Sequence, residues 1–303
     1  MATLYTQADS NIRKTWFYVT FFLCFIIIVG FILSYALGTY IYLIIAGIYA
    51  FFSSFFSYWF SDKIVLAMSH AKEIEKRDNP ELYRIVENLA ITAGIPLPKI
   101  YIINQEQPNA FATGRNQKHA VIAVTKGLLD RLERAELEGV IAHEMAHIGN
   151  KDILLQTMVV VFVAVIVVLT DFFFRISFWG GLSSRRNNNS DSKAGIIIML
   201  IAFALAILAP IFATIIKLAI SRKREYLADA SGALLTRYPE GLANALEKIS
   251  SDSNTLRTAN NSTAHLYIAS PFKGKQSKSW LTKLFSTHPP IEERISLLRG
   301  MRL

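Results

Sequence analysis

Cysteine is all but missing from this 303-residue sequence; its single copy, Cys24, cannot close an intramolecular bridge, so a disulfide-stapled scaffold is excluded. Charge is also scarce, at 18% of residues against about 25% in ordinary soluble proteins. With Gly at 15 and Pro at 9 residues, a collagen-like or low-complexity chain is excluded as well. Acidic side chains are the minority sign, since Lys+Arg 32 against Asp+Glu 23 leaves +9. What fills the space is apolar: 52% of residues are hydrophobic, and the mean hydropathy is +0.33. A basic surplus fits a nucleic-acid binder or a membrane protein with cationic loops. Its distribution decides, because the cations flank long apolar runs and form no aromatic-interleaved stripe. A nucleic-acid partner is therefore not expected.

The runs are four. Residues 16–37 and 40–60 carry no charge, and the second ends in Phe55, Phe56, Tyr58, Trp59 and Phe60. Each can cross a hydrocarbon core of about 30 Å, which takes roughly 20 helical residues, with Trp and Tyr at interfacial positions. A cleaved signal peptide does not fit, because the first run is longer than an h-region and a second span follows at once. Residues 153–174 and 195–216 form the later pair, with Pro210 predicting a kink and a polar Arg/Asn-rich loop between them. Arg13 and Lys14 precede the first run, no charge lies in the turn at Gly38, and Lys63, Lys72, Lys76 and Arg77 follow the second. The positive-inside rule then puts residues 61–152 in the cytoplasm. For the second pair the cations balance, so the rule does not orient it.

Between and after these runs the pattern is that of a folded domain. Asn79-Pro80-Glu81 predicts a helix to about Ala93, stopped by Gly94 and Pro96. Residues 100–103 and 120–124 predict short strands. Glu133 to Gly149 predicts a helix with Leu137, Val140, Ile141, Met145 and Ile148 on one side. Residues 222–235, 239–250 and 290–298 read as further helices, and 251–279 as a long polar loop.

Chemistry concentrates in His143-Glu144-Met145-Ala146-His147. Residues four apart share a helix face, so both imidazoles can reach one metal with Glu144 beside it. Imidazoles with an open coordination position suit Zn²⁺, one ion per chain. A third ligand is needed. Glu225 and Asp229, again four apart, are the best candidates, and one can bind while the other supports a ligand histidine. His70, His119, His265 and His288 compete on residue type alone.

Four segments together resemble the HtpX family of integral-membrane zinc metalloproteases, related to the CAAX prenyl endopeptidases. They are Asn109 to Gly114, Ile141 to His147, Ser221 to Ala230, and Ser286 to Ile295. The resemblance implies zinc held by His143, His147 and Glu225, Glu144 as general base, and Asp229 supporting a ligand histidine. It also implies an edge strand over Asn109, Ala110, Phe111 and Ala112 that holds extended substrate, and His288 near the scissile carbonyl. The expected fold is a membrane α+β protein: four hydrophobic helices and a mostly helical, zincin-like protease domain with a small β-sheet. The expected organisation is a transmembrane hairpin at 1–60, a cytoplasmic protease subdomain at 61–152, a second hairpin at 153–217 and a C-terminal subdomain at 218–303. The function implied is multi-pass inner (cytoplasmic) membrane proteolysis of membrane proteins or peptides in quality control, with the site facing the cytoplasm. A prenyl-CAAX enzyme shares the chemistry, but its larger chamber needs more spans. A metal-holding scaffold has no use for Glu144.

Overall fold

The computed structural model describes residues 4–183, 200, 222–252, 263–264, 266–271 and 289–301. Two long helices, α1 (Leu4–Leu37) and α2 (Ile41–Met68), form an antiparallel hairpin, and α6 (Asp152–Ser183) packs against both. Three stretches, Ser10–Tyr35, Ile41–Met68 and Asp152–Asp171, are long and apolar enough to cross a membrane. The expected fourth run, 195–216, lies outside the described residues apart from Leu200.

Small residues make the hairpin possible. Ala46, Ala50, Ser57 and Ser61 are buried along one stripe of α2, where they let helices approach closely. Phe22 and Phe162 stack at 4.3 Å and join α1 to α6. The large side chains point the other way: Phe17, Phe31, Ile44 and Phe51 are each more than half exposed. So wide an apolar exterior suits hydrocarbon as its solvent.

The domain beyond α2 is built on a four-stranded mixed sheet ordered β1-β2-β4-β3. Its strands are β1 (Lys72–Glu73), β2 (Lys99–Ile103), β3 (Ala110–Gly114) and β4 (Ala120–Thr125). β2 and β4 run parallel, while β3 is antiparallel to β4, with Phe111 opposite Ala123, and lies at the sheet edge. Helix α3 (Pro80–Ala93) starts where the sequence predicts, with Asn79 Oδ1 accepting from the Leu82 N–H, and ends at left-handed Gly94. β3 is fully buried like β4, but its Ala-Phe-Ala-Thr-Gly run lacks the Val and Ile that mark β4 as a buried strand, so pattern reading passes over it. Short helix α4 (Lys126–Arg131) follows β4.

Helix α5 (Arg134–Gly149) is the hub. Its start is fixed by the Glu133 N–H donating to Glu136 Oε2 at 2.8 Å. The sequence predicts one apolar side, yet every residue from Gly139 to Ile148 is buried, because β3, α3, α7 (Arg222–Thr236) and α8 (Pro239–Ser251) surround it. α9 (Ile291–Arg299) closes over α7 and α8.

The hairpin generates a topological expectation. With Cys24 replaced by Ser, single cysteines at Tyr40 and Lys76 should react with an impermeant thiol reagent from opposite membrane faces. Labelling of both from one face would show that α1 and α2 do not cross as a pair.

Candidate metal centre

Why α5 and α7 can meet closely enough to build a site follows from glycine. A Cβ on Gly232 of α7 would sit 2.9 Å from the His143 backbone nitrogen, and one on Gly139 of α5 would sit 2.7 Å from the Leu242 nitrogen. Only hydrogen side chains allow these approaches. The first seats α7 on α5, so that Glu225, near the start of α7, faces the two histidines; the second seats α8 on α5.

His143 and His147 direct their Nε2 atoms at each other across 3.2 Å, with ring planes at 89°. Glu225 closes the triangle: its Oε1 lies 3.6 Å from His147 Nε2 and its Oε2 lies 4.0 Å from His143 Nε2. One ligand atom from each of the three residues lies within 4.8 Å of the others. Ligands on bonds of about 2.0–2.2 Å in a tetrahedron stand roughly 3.3–3.6 Å apart. The three side chains therefore fit a single ion with little rearrangement.

The outward-facing Nδ1 atoms are held by carboxylates. His147 Nδ1 is 3.1 Å from Asp152 Oδ2. His143 Nδ1 is 2.9 Å from Asp229 Oδ1, although the ring is turned so that its N–H does not point straight at that oxygen. A carboxylate partner keeps the proton on Nδ1 and leaves the Nε2 lone pair for a metal. Asp229 is itself clamped by buried Arg294, whose Nε and Nη2 donate to its two oxygens at 2.8 and 2.7 Å. Arg294 Nη1 donates to the Ile268 carbonyl at 2.9 Å and stands 3.9 Å from Glu225.

Charge follows from this packing. Burial alone would raise the Asp229 pKa, but the Arg294 charge and hydrogen bonds outweigh it and hold the carboxyl down at about 2. Burial pushes Glu144 up to about 7, opposed by the His147 charge and reinforced by Glu225. Burial pulls His143 below its ordinary value, with Asp229 opposing. His147 goes the other way, since the Asp152 hydrogen bond and the Glu225 charge overcome burial and hold it at about 9. The buried acids Glu144, Asp152, Glu225 and Asp229 outnumber the buried cations Arg224 and Arg294. That surplus draws a proton onto His147, and a divalent cation would displace it.

The edge strand reaches the same place. The backbone of Ala112 faces Glu144 and favours its ionised form. Further along the free edge, the Ala110 carbonyl accepts from the Ile268 N–H at 3.0 Å. Asn109 is buried, and its Nδ2 donates to the Ala269 carbonyl at 3.0 Å, so its side chain braces the chain's own 268–269 segment. Phe111 packs edge-on against Tyr267 at 5.2 Å. Thus Glu144, His143, His147, Glu225 and Asp229 are brought together, with Ala112 beside them. His70 is exposed, and exposed His119 is occupied by Arg115 and Asn116. His265 and His288 lie outside the described residues.

Three participants are not singled out by sequence reasoning. Asp152 stands five positions after His147, outside any i, i+4 ligand pattern. Arg294 sits within a quoted segment but is an ordinary surface residue by type. Gly232 carries no chemistry of its own.

Comparison with known proteins places these residues in context. Residues 76–302 match Peptidase family M48. A "Protease HtpX homolog" of Dictyoglomus turgidum is 48% identical over 301 residues, covering 99% of this chain and 95% of its own. A homologue of the same description from Caldanaerobacter subterraneus is 45% identical over 302 residues, covering 99% of each chain. One from Pyrococcus furiosus is 47% identical over 273 residues, covering 89% and 90%. Among solved structures, S. mikatae Ste24p aligns over 97% of this chain and 67% of its own, at TM-score 0.46 and 18% identity.

The Arg294–Asp229 clamp sets a stability expectation. Arg294→Leu leaves a buried carboxylate without its cation, which should cost about 3–5 kcal/mol. Arg294→Lys should not restore it, because a point ammonium cannot replace the two-pronged contact. Thermal unfolding of the purified variants in detergent checks both.

Proposed function

Since the chain belongs to Peptidase family M48 and is a membrane metalloprotease, we propose that it is a zinc endopeptidase in which His143, His147 and Glu225 hold the ion and Glu144 is the general base. The observation that carries this reading is the convergence of two Nε2 atoms and one carboxylate beside a buried Glu144. Zinc, when bound, supplies a Lewis acid and lowers the pKa of a water molecule towards about 7. Glu144 takes a proton from the attacking water as oxygen adds to the peptide carbonyl, and returns it to the leaving amine as the C–N bond breaks. Asp229 and Asp152 orient the two imidazoles, and Arg294 holds Asp229 in place.

Substrate is read as an extended strand laid on the free edge of β3. Ala112 is the residue of that edge whose backbone acts on Glu144. Asn109, Ala110 and Phe111 shape the approach through their contacts with residues 267–269. His288 is assigned to the scissile carbonyl by the family resemblance.

The substrates we propose are misfolded or damaged proteins of the cytoplasmic membrane, cut in their cytoplasmic loops. Support comes from the position of the site: after a break at Asn150 and Lys151, the metal helix is followed at Asp152 by a helix long and apolar enough to span a membrane. Asn11 touches Asp152, so α1 begins at the metal-site end of the bundle. Arg13 and Lys14 then lie on that side together with Lys63, which is the cytoplasmic side by the positive-inside rule.

Variant proteins separate the roles. Glu144→Gln should retain near-stoichiometric zinc yet lose cleavage of an unfolded membrane substrate by several orders of magnitude, because it removes the base and keeps the ligands. Glu225→Ala should lose most of its zinc. Asp229→Asn should keep zinc about 10–100-fold more weakly. His288→Ala should keep zinc and turn over more slowly. Metal content and proteolysis, measured on each purified protein, check the set; substantial cleavage by Glu144→Gln would overturn the assignment of the base.

A further inference from the structure

Asp152 is a fully buried carboxylate whose two oxygens face in different directions. Oδ2 meets His147 Nδ1 at 3.1 Å. Oδ1 accepts from the side-chain amide of Asn11 in α1 at 2.6 Å, and Arg224 Nη1 stands 3.6 Å from the same oxygen, too far for a direct hydrogen bond. Asn11 is buried too, and its Nδ2 also donates to the Asn150 carbonyl at 3.2 Å. A polar side chain at the start of a membrane helix thus crosses 141 positions of sequence to brace the carboxylate on a histidine of the metal triad.

We infer that Asn11 is a positioning residue of the metal centre, so that the site is complete only when the first membrane helix is seated against α5 and α6. This rests on the reading of His147 as a metal ligand. The physical reason is orientation. A carboxylate held through one oxygen alone can swing about its Cα–Cβ and Cβ–Cγ bonds. Pinned at Oδ1, it must present Oδ2 to Nδ1, which fixes the tautomer and aim of the imidazole. Arg224, at 3.6 Å, supplies charge but not direction. Ordinary helix glue would be an alternative use of an asparagine here, but glue needs no partner that touches a ligand. The chain Asn11–Asp152–His147 makes that contact through consecutive hydrogen bonds of 2.6 and 3.1 Å in a buried environment, where an unpaired oxygen would be costly.

The test uses the full chain in detergent or nanodiscs, loaded with zinc, with release followed after adding excess chelator. Removing a group that directly holds a ligand histidine typically weakens metal binding about 10–100-fold, and Asp152→Ala should fall there. Asn11, one bond further out, should show about a 3–10-fold faster release as Asn11→Ala. Asn11→Leu, which fills the same space without the amide, should release zinc at least as fast, and it keeps the test usable where Asn11→Ala folds poorly. The visible spectrum of the Co²⁺-loaded protein should shift in both Asn11 variants, reporting a changed coordination geometry. Thr15→Val, one turn along α1, removes only a bond to the helix's own Asn11 carbonyl and should leave release and spectrum unchanged.

Release within about twofold of wild type for both Asn11 variants, with an unaltered Co²⁺ spectrum, would reduce the contact to helix packing. Equal acceleration by Thr15→Val would do the same. A wild-type protein that binds no zinc tightly, or a His147→Ala variant that keeps it, overturns the metal reading itself and this inference with it.

Discussion

Burial of charge is the constraint on which the rest depends. A carboxylate sealed from water is tolerable only when cations or hydrogen-bond donors meet it, and this protein seals several around two imidazoles. Asp229 is met by Arg294 and His143, and Asp152 by His147, Asn11 and Arg224. Each partner comes from a different part of the chain, so satisfying the charges also stitches α1, α5, α6, α7 and α9 together. The centre is as much a structural knot as a chemical one. Even with both guanidiniums in place the interior remains short of positive charge, which is the electrostatic vacancy a divalent ion fits.

The knot lies where the soluble and membrane parts join. α5 is surrounded by protein on all sides and ends in Asn150 and Lys151 before α6 begins. Nothing about a metal triad requires it to adjoin a span. Here the adjacency comes from packing, because β3 rests against α2 and α6 and α5 against α6. The free edge of β3 is partly taken by the chain's own 267–269 segment, which is tied down by Asn109 and packed edge-on against Phe111 through Tyr267.

Much of this was legible from residue order because it rests on local rules. Asn79-Pro80 and Gly94 delimit α3 through capping, which acts over a single turn. The two charge-free runs declare membrane helices through length alone. His143 and His147 share a face by helical period, and Glu144 lies beside them for the same reason. Where local rules fail, the sequence misleads or stays silent. β3 lacks both alternation and a β-branched run, and the one-sided pattern of α5 hides that the helix is enclosed.

Residue types and their helical spacing determined that a two-histidine, one-carboxylate chemistry was available and that its carrier was embedded in a membrane. Which carboxylate faces the metal was beyond spacing, because Glu225 and Asp229 share one helix face and only the seating of α7 on α5, through Gly232, sets one towards both Nε2 atoms and the other towards Nδ1. Asp152, Arg294 and Asn11 were beyond it too. Their roles arise from contacts made across 5, 65 and 141 positions respectively, and a buried charge finds its partner in space, where sequence distance has no bearing on Coulomb energy or hydrogen-bond geometry.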